Sequence, residues 1–240
     1  MTPVPPNIDF DGLVNARDLG GPTVAGGGRV RPGIVYRSET PELMSEADVR
    51  RARDELGITC VVDLRGARFG SSGPIGDEGR GVRIDFFGVA GRPTDEADRS
   101  RHGFLPGLLD RAGPVLGPVL EQIVASDGAT LVHCHTGKDR TGFVSALLLA
   151  LLGVADDDIV DDYDRSSPVF DQMMRNLAAA GIGVTAEAPP FAQHPPSAEG
   201  MRALLARLRC EWESPDEYLI ANGVAADLLA AVRAQMIETV

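Results

Sequence analysis

His133-Cys134-His135-Thr136-Gly137-Lys138-Asp139-Arg140-Thr141-Gly142 places a cysteine six positions before an arginine, with a glycine between them and a threonine directly after. Displacing a phosphoryl group without a metal requires a strong nucleophile, a clamp for the non-bridging oxygens and fixed donors for the developing charge. This stretch supplies all three. The residues between Cys134 and Arg140, namely His135, Thr136, Gly137, Lys138 and Asp139, can curl so that successive backbone N–H groups converge as a nest for phosphate oxygens. Gly137 eases the bend, because glycine accepts positive φ without a steric penalty. Arg140 offers a planar, permanently charged fork that can hold two phosphate oxygens at once, which lysine does not reproduce. Arg140→Lys is therefore expected to lower kcat/KM on a phosphate monoester by about 100-fold or more; near-native kcat/KM would contradict a fork-like grip.

Upstream, Ala129-Thr130-Leu131-Val132-His133 is a short apolar run suited to a buried strand, and downstream residues 141–152 form a helical segment closed by Gly153. Cys134 then sits at a strand-to-helix turn, where the helix N-terminus lowers its thiol below the usual value of about 8.5. Thr141 is placed to donate its hydroxyl to the thiolate. Further out, residues 34–37, 58–64, 82–89 and 130–134 are the candidate core strands. Ser45 caps a helix over residues 46–56, with Asp48 completing a capping box and Val49, Ala52 and Leu56 forming an apolar stripe. Alternation of strand and helix predicts an α/β domain with a central, mainly parallel sheet flanked by helices. Helical periodicity covers residues 116–126 and dominates from Thr141 onward, where Pro189-Pro190 and Pro195-Pro196 bracket a loop and Asp156-Asp157-Asp158 starts a helix. The glycine-rich residues 20–28 predict a turn or hairpin; they lack the lysine and hydroxyl spacing of a nucleotide loop, and Val132 stands where a Walker loop ahead of Gly137-Lys138 needs glycine.

Residues 1–240, with 43% hydrophobic content, suit one domain with a sizeable core. A formal net charge of −12 argues against general attachment to nucleic acid or an anionic membrane. The stretch 143–154 is too short to span a bilayer, and the first six residues lack a signal peptide's basic start and apolar core. Cys60, Cys134 and Cys210 make an odd set suited to a reducing compartment, so a cytoplasmic location is expected. His102, His133, His135 and His194 form no ligand cluster, so neither metal nor cofactor is expected.

The nucleophile stretch resembles the cysteine-dependent tyrosine phosphatase superfamily, and its Gly-Lys-Asp-Arg-Thr-Gly ending resembles the atypical bacterial tyrosine and phosphoinositide phosphatase branch. Asn15-Ala16-Arg17-Asp18-Leu19-Gly20-Gly21, Val35-Tyr36-Arg37-Ser38, Val62-Asp63-Leu64-Arg65, Asp161-Asp162-Tyr163 and Ser214-Pro215-Asp216-Glu217-Tyr218-Leu219 resemble further blocks of that branch, in order along most of the chain. The resemblance implies a tyrosine-phosphatase-like fold and hydrolysis of phosphate monoesters, on phosphotyrosine proteins, phosphoinositides or both, through a cysteinyl-phosphate. It also implies Asp139 as general acid, since that branch carries an aspartate in the loop. Asp63, ending an apolar strand at the expected rim, is the second choice. In this superfamily a backdoor disulfide protects some nucleophiles, which here implies a Cys60–Cys134 bridge under oxidation. Lys138 suggests a second cation for an additional phosphate. Residues 88–103 and 169–196, the latter with Met173 and Met174, are candidate lids. Arg17 and Asp18 are expected as structural ion-pair members, and His133 as an orienting partner of the loop. The competing readings are a phosphate-binding module without turnover and a sulfurtransferase, whose cysteine loop also joins strand to helix.

Overall fold

The computed structural model describes residues 7–66, 71–78, 80–182 and 190–239. Among these the strands are β1 (Arg17–Asp18), β2 (Arg29–Val30), β3 (Val35–Ser38), β4 (Ile58–Asp63), β5 (Arg80–Arg83), β6 (Ala129–His133) and β7 (Ile237–Glu238). The main sheet has the order β1-β3-β6-β4-β5. Its strands β3, β6, β4 and β5 run parallel, and β1 closes one edge antiparallel to β3. β2 and β7 pair separately and tie the N-terminal region to the end of the chain.

Successive side chains of a strand point to opposite faces, and here each face is buried under its own core. Val35, Cys60, Val62 and Val132 face the larger core, which includes the helices Leu116–Ala125, Asp139–Leu151 and Ala198–Glu211. Tyr36, Val61 and Leu131 face the other, packed with Phe10, Leu13, Val49 and Ala52. The expected α/β sheet covered on both sides is therefore present, with helices prevailing after β6.

The helix Asp139–Leu151 is buried almost all round, because the sheet lies on one side and the helices Phe104–Leu108, Asp156–Asp164 and Pro215–Ala221 lie on the others. That explains an apolar stretch with no polar stripe. Gly153, at φ +83°, ends the turn that follows. The helix begins two residues earlier than its periodicity indicates, so Asp139 and Arg140 belong to its first turn.

Ser45 and Asp48 form the expected reciprocal cap, and Asp48 also accepts N–H bonds from Asp11 (2.7 Å) and Gly12 (2.9 Å). Beyond Arg50 the segment continues as a π-helical stretch, Arg51–Glu55. The strand expected over 82–89 is instead β5 followed by a helix, Phe86–Ala90. Asp85 decides this, since its side chain accepts the Gly88 N–H at 3.0 Å and caps a helix where the apolar run alone suggests a strand. Residues 26–28, all glycine with positive φ, make the expected turn ahead of β2.

The Cys60–Cys134 bridge is not supported by the register. Cys60 pairs with Thr130, four residues before Cys134, which is about 13 Å of strand, whereas a disulfide needs Cα atoms within about 7 Å. Among the described residues no helix is long and apolar enough to cross a membrane.

Candidate active site

β6 delivers Cys134 to the C-terminal edge of the parallel sheet, where an open α/β sheet presents its loops for binding. The loop that follows is held from outside by its carbonyls. Thr40 N–H donates to His135 O (3.0 Å), Asn15 Nδ2 to Thr136 O (3.1 Å) and Arg37 Nη2 to Gly137 O (2.8 Å). Gly142 N–H donates to Lys138 O at 2.7 Å. In a trans peptide C=O and N–H point in opposite directions, so drawing these carbonyls outward turns the amides toward the concave side. Gly137, at φ +64°, is required twice, because a Cβ there would also lie 2.3 Å from the Ser38 carbonyl.

Cys134 is 2% exposed at the base of this loop. Burial alone would raise its thiol, but the Arg140 charge and the Thr141 hydroxyl and N–H outweigh it, and the net direction is downward. Arg140 donates to Leu64 O (3.1 Å) and stacks on Phe87, with its Cζ 5.1 Å from the ring centroid. Within residues 133–142 only His135 and Arg140 keep intermediate exposure. His133 Nδ1–H donates to Cys134 O (3.0 Å), and burial pushes this imidazole down to about 4, leaving it neutral at pH 7. This bond is to the first carbonyl after β6.

Asp139 Oδ2 lies 3.3 Å from Lys138 Nζ, while Oδ1 accepts from the Tyr163 hydroxyl at 3.2 Å. Burial raises its carboxyl against the lowering influence of Lys138, Tyr163 and Arg140. Asp139 therefore keeps its proton to higher pH than an ordinary aspartate. Asp63 is different. It is fully buried behind the loop, where Arg65 grips it through two 2.9 Å bonds and Ser72 donates at 3.2 Å. Burial would raise Asp63 too, yet Arg65 and His133 lower it below the carboxylate range. A carboxylate held ionised by a guanidinium is a poor proton donor, which corrects its selection as an acid.

Lys138 also departs from expectation. Its ammonium donates to the carbonyls of Phe191 and His194 (2.7 Å for the latter) and is 1% exposed. It lies 5.3 Å from the Phe170 ring centroid. Its charge is spent tying the loop to the segment around Pro190–Gln193 rather than offered to a second phosphate. Met173, read as part of an adaptable cover, is fully buried with Phe170 and Leu177. Part of that candidate lid, residues 183–189, lies outside the described residues, and in the other the helices Phe86–Ala90 and Glu96–Arg99 form.

The residues that seat the loop are mostly ones that periodicity does not single out. Arg17 Nε and Arg37 Nη1 both bind Asp162, at 2.8 and 2.6 Å, and Arg17 also donates to Asn15 Oδ1 at 2.7 Å. Asn15 and Arg37 in turn hold the loop carbonyls. Burial would raise Asp162, but Arg17 and Arg37 prevail and hold it at about 2. Glu39, fully buried, accepts N–H bonds from Val14 (2.7 Å) and Asn15 (3.1 Å), and burial pushes it up to about 7. Arg17 is thus an ion-pair member as expected, but Asp18 instead accepts the backbone N–H groups of Gly20 and Gly33, each at 2.7 Å. The available signal was that Asn15, Arg17, Arg37 and Asp162 all fall within the resembling blocks.

The model of the tyrosine phosphatase family matches residues 8–238. A protein of Cupriavidus necator, provisionally named a tyrosine-protein phosphatase, is 35% identical over 234 residues, covering 89% of this chain and 82% of its own. A tyrosine-protein phosphatase of Nostoc commune is 29% identical, covering 80% of this chain and 70% of its own. The triple specificity protein phosphatase of Mycobacterium tuberculosis is 28% identical, covering 71% of this chain and 72% of its own. With a match that runs from the first described residues through the nucleophile loop to the last strand, the chain belongs to the tyrosine phosphatase family.

Proposed function

We propose that this chain, as one catalytic domain, hydrolyses phosphate monoesters through a cysteinyl-phosphate intermediate. The observation that carries the reading is the lowered Cys134 thiol at the base of a loop whose His135, Thr136 and Gly137 carbonyls are drawn outward. The Cys134 thiolate attacks phosphorus, forming the S–P bond as the P–O bond breaks, and the leaving oxygen takes the proton of Asp139. Arg140 and the amides of residues 135–140 hold the non-bridging oxygens throughout. In the second step the Asp139 carboxylate takes a proton from water, the new O–P bond forms, and the thiolate leaves, stabilised by Thr141.

Phosphotyrosine proteins are the favoured substrates, because the relatives named above are called tyrosine or triple specificity protein phosphatases. The residue that pointed to phosphoinositides, Lys138, is occupied within the protein. A sulfurtransferase has no use for an aspartate of raised pKa beside the nucleophile loop. The test is phosphate release from an aryl phosphate in reductant and EDTA, followed by phosphopeptides and phosphoinositides compared by kcat/KM. Absence of turnover with well-folded protein contradicts the proposal and favours a binding module.

The assignment of Asp139 has its own check. Asp139→Asn should lower kcat/KM for phenyl phosphate by about 100-fold, because phenolate needs the proton as it departs. The loss should be much smaller for 4-nitrophenyl phosphate, whose leaving group does not, and the basic limb of the pH profile should disappear. Equal losses on both substrates would remove Asp139 from the role.

A further inference from the structure

The reaction uses Asp139 but leaves its neighbour Tyr163 without a task. Tyr163 is buried on the helix Asp156–Asp164, with its ring against the first turn of the nucleophile helix. Only glycine at position 142 permits this, since a Cβ there would lie 2.7 Å from Tyr163 Cε2 and 2.8 Å from Cδ2. The close approach brings the phenolic oxygen 3.2 Å from Asp139 Oδ1. The backbone N–H of Ser197 also acts on the phenol, in the lowering direction.

Ser197 is itself fixed. It caps the helix Ala198–Glu211 by accepting the Gly200 N–H at 2.9 Å, and its hydroxyl meets His102 Nδ1 at 2.7 Å. The acceptor the phenolic O–H meets is the Asp139 carboxyl, to which it donates at 3.2 Å. Burial, with Asp139 alongside, raises the phenol well above its ordinary value, so it stays a donor.

We propose that Tyr163 is a positioning residue for the proton donor: with its ring packed on Gly142, its hydroxyl holds Oδ1 of Asp139 and aims the carboxyl at the departing oxygen. This rests on the assignment of Asp139 as the acid. The charged and titratable groups facing this pair are Lys138, Arg140 and Cys134 around Asp139, and Arg37 near Tyr163. Tyr163→Phe leaves all of them in place and removes one O–H.

A donated hydrogen bond favours the ionised carboxylate, so its loss favours the protonated form. In Tyr163→Phe the basic limb of kcat/KM should therefore move to higher pH while the plateau falls, because a freed carboxyl is aimed less well. The expected loss is about tenfold on phenyl phosphate and little on 4-nitrophenyl phosphate. Incorporating 3-fluorotyrosine at this position, a stronger donor of the same shape, should move the limb the other way and guards against a folding defect in the phenylalanine variant.

Equal losses on both substrates with an unmoved limb, while Asp139→Asn behaves as described above, would overturn the role of Tyr163 alone. If Asp139→Asn itself leaves the limb and the leaving-group dependence intact, the acid assignment fails and takes this proposal with it.

Discussion

Cys134→Ser is expected to remove turnover of an aryl phosphate by a factor of at least about 1,000 while leaving the phosphate nest able to bind. The sulfur lies 2% exposed, where burial opposes ionisation. Arg140 and Thr141 overcome that opposition because a thiol starts from about 8.5. A serine hydroxyl in the same place starts far higher and stays protonated. The outward bonds of Thr40, Asn15 and Arg37 to the loop carbonyls do not involve the side chain at 134, so the loop keeps its curvature. Turnover and phosphate-ester binding measured on the same preparation separate nucleophile from nest. Residual activity above about 1% of wild type, in protein freed of contaminating phosphatase, would mean that Cys134 is not the attacking group.

The largest stability effect should come from Asp162, which touches neither the nucleophile nor the acid. Its carboxylate neutralises Arg17 and Arg37 together, and both guanidiniums are almost wholly buried. Asp162→Ala leaves two buried cations without their counterion, a change of about 3–5 kcal/mol. Urea unfolding at pH 7 measures it, and a loss below about 1 kcal/mol would mean that water or another carboxylate takes over. The acid side gives an independent reading. Because the folded carboxyl is held at about 2, below the unfolded value near 3.9, its stabilisation of roughly 2–3 kcal/mol is complete above that unfolded value. It is lost as pH falls through about 2. Since Arg37 also holds Gly137 O, the alanine variant should lose activity before it unfolds.

Glu39 acts in the opposite sense. Held at about 7 by burial, it binds a proton more readily folded than unfolded, so its contribution declines as pH rises from the ordinary carboxylate range to about 7. Its bonds to Val14 and Asn15 place that titration beside the residue that holds Thr136 O. No pattern of apolar spacing announces such a residue, because the position is polar by type and buried by fold.

The parallel sheet and the strand-to-helix turn at Cys134 were legible because each rests on local rules: short, nearly continuous apolar runs in β4 and β6, a capping box at Ser45 and Asp48, a glycine where positive φ is needed. The strand misread over 82–89 shows the limit of those rules. Val82 and the apolar residues of 84–89 suit either structure, and the Asp85 side chain reaching Gly88 N–H tipped the balance.

By itself the sequence determined the fold class and the strand-to-helix loop in which the proposed nucleophile, clamp and nest lie, since these follow from residue type, spacing and the alternation of elements. Only the tertiary structure decided in which direction each aspartate's proton affinity moves and where the Lys138 charge goes. Those outcomes depend on what lies opposite each group: Arg65 against Asp63, burial and Tyr163 against Asp139, the Phe191 and His194 carbonyls against Lys138. Tyr163 stands 24 residues beyond Asp139, and Asn15 stands 121 residues before Thr136. Separations of that size are bridged by the packing of whole elements, and a protonation state follows from the packed surroundings rather than from the neighbours in the chain.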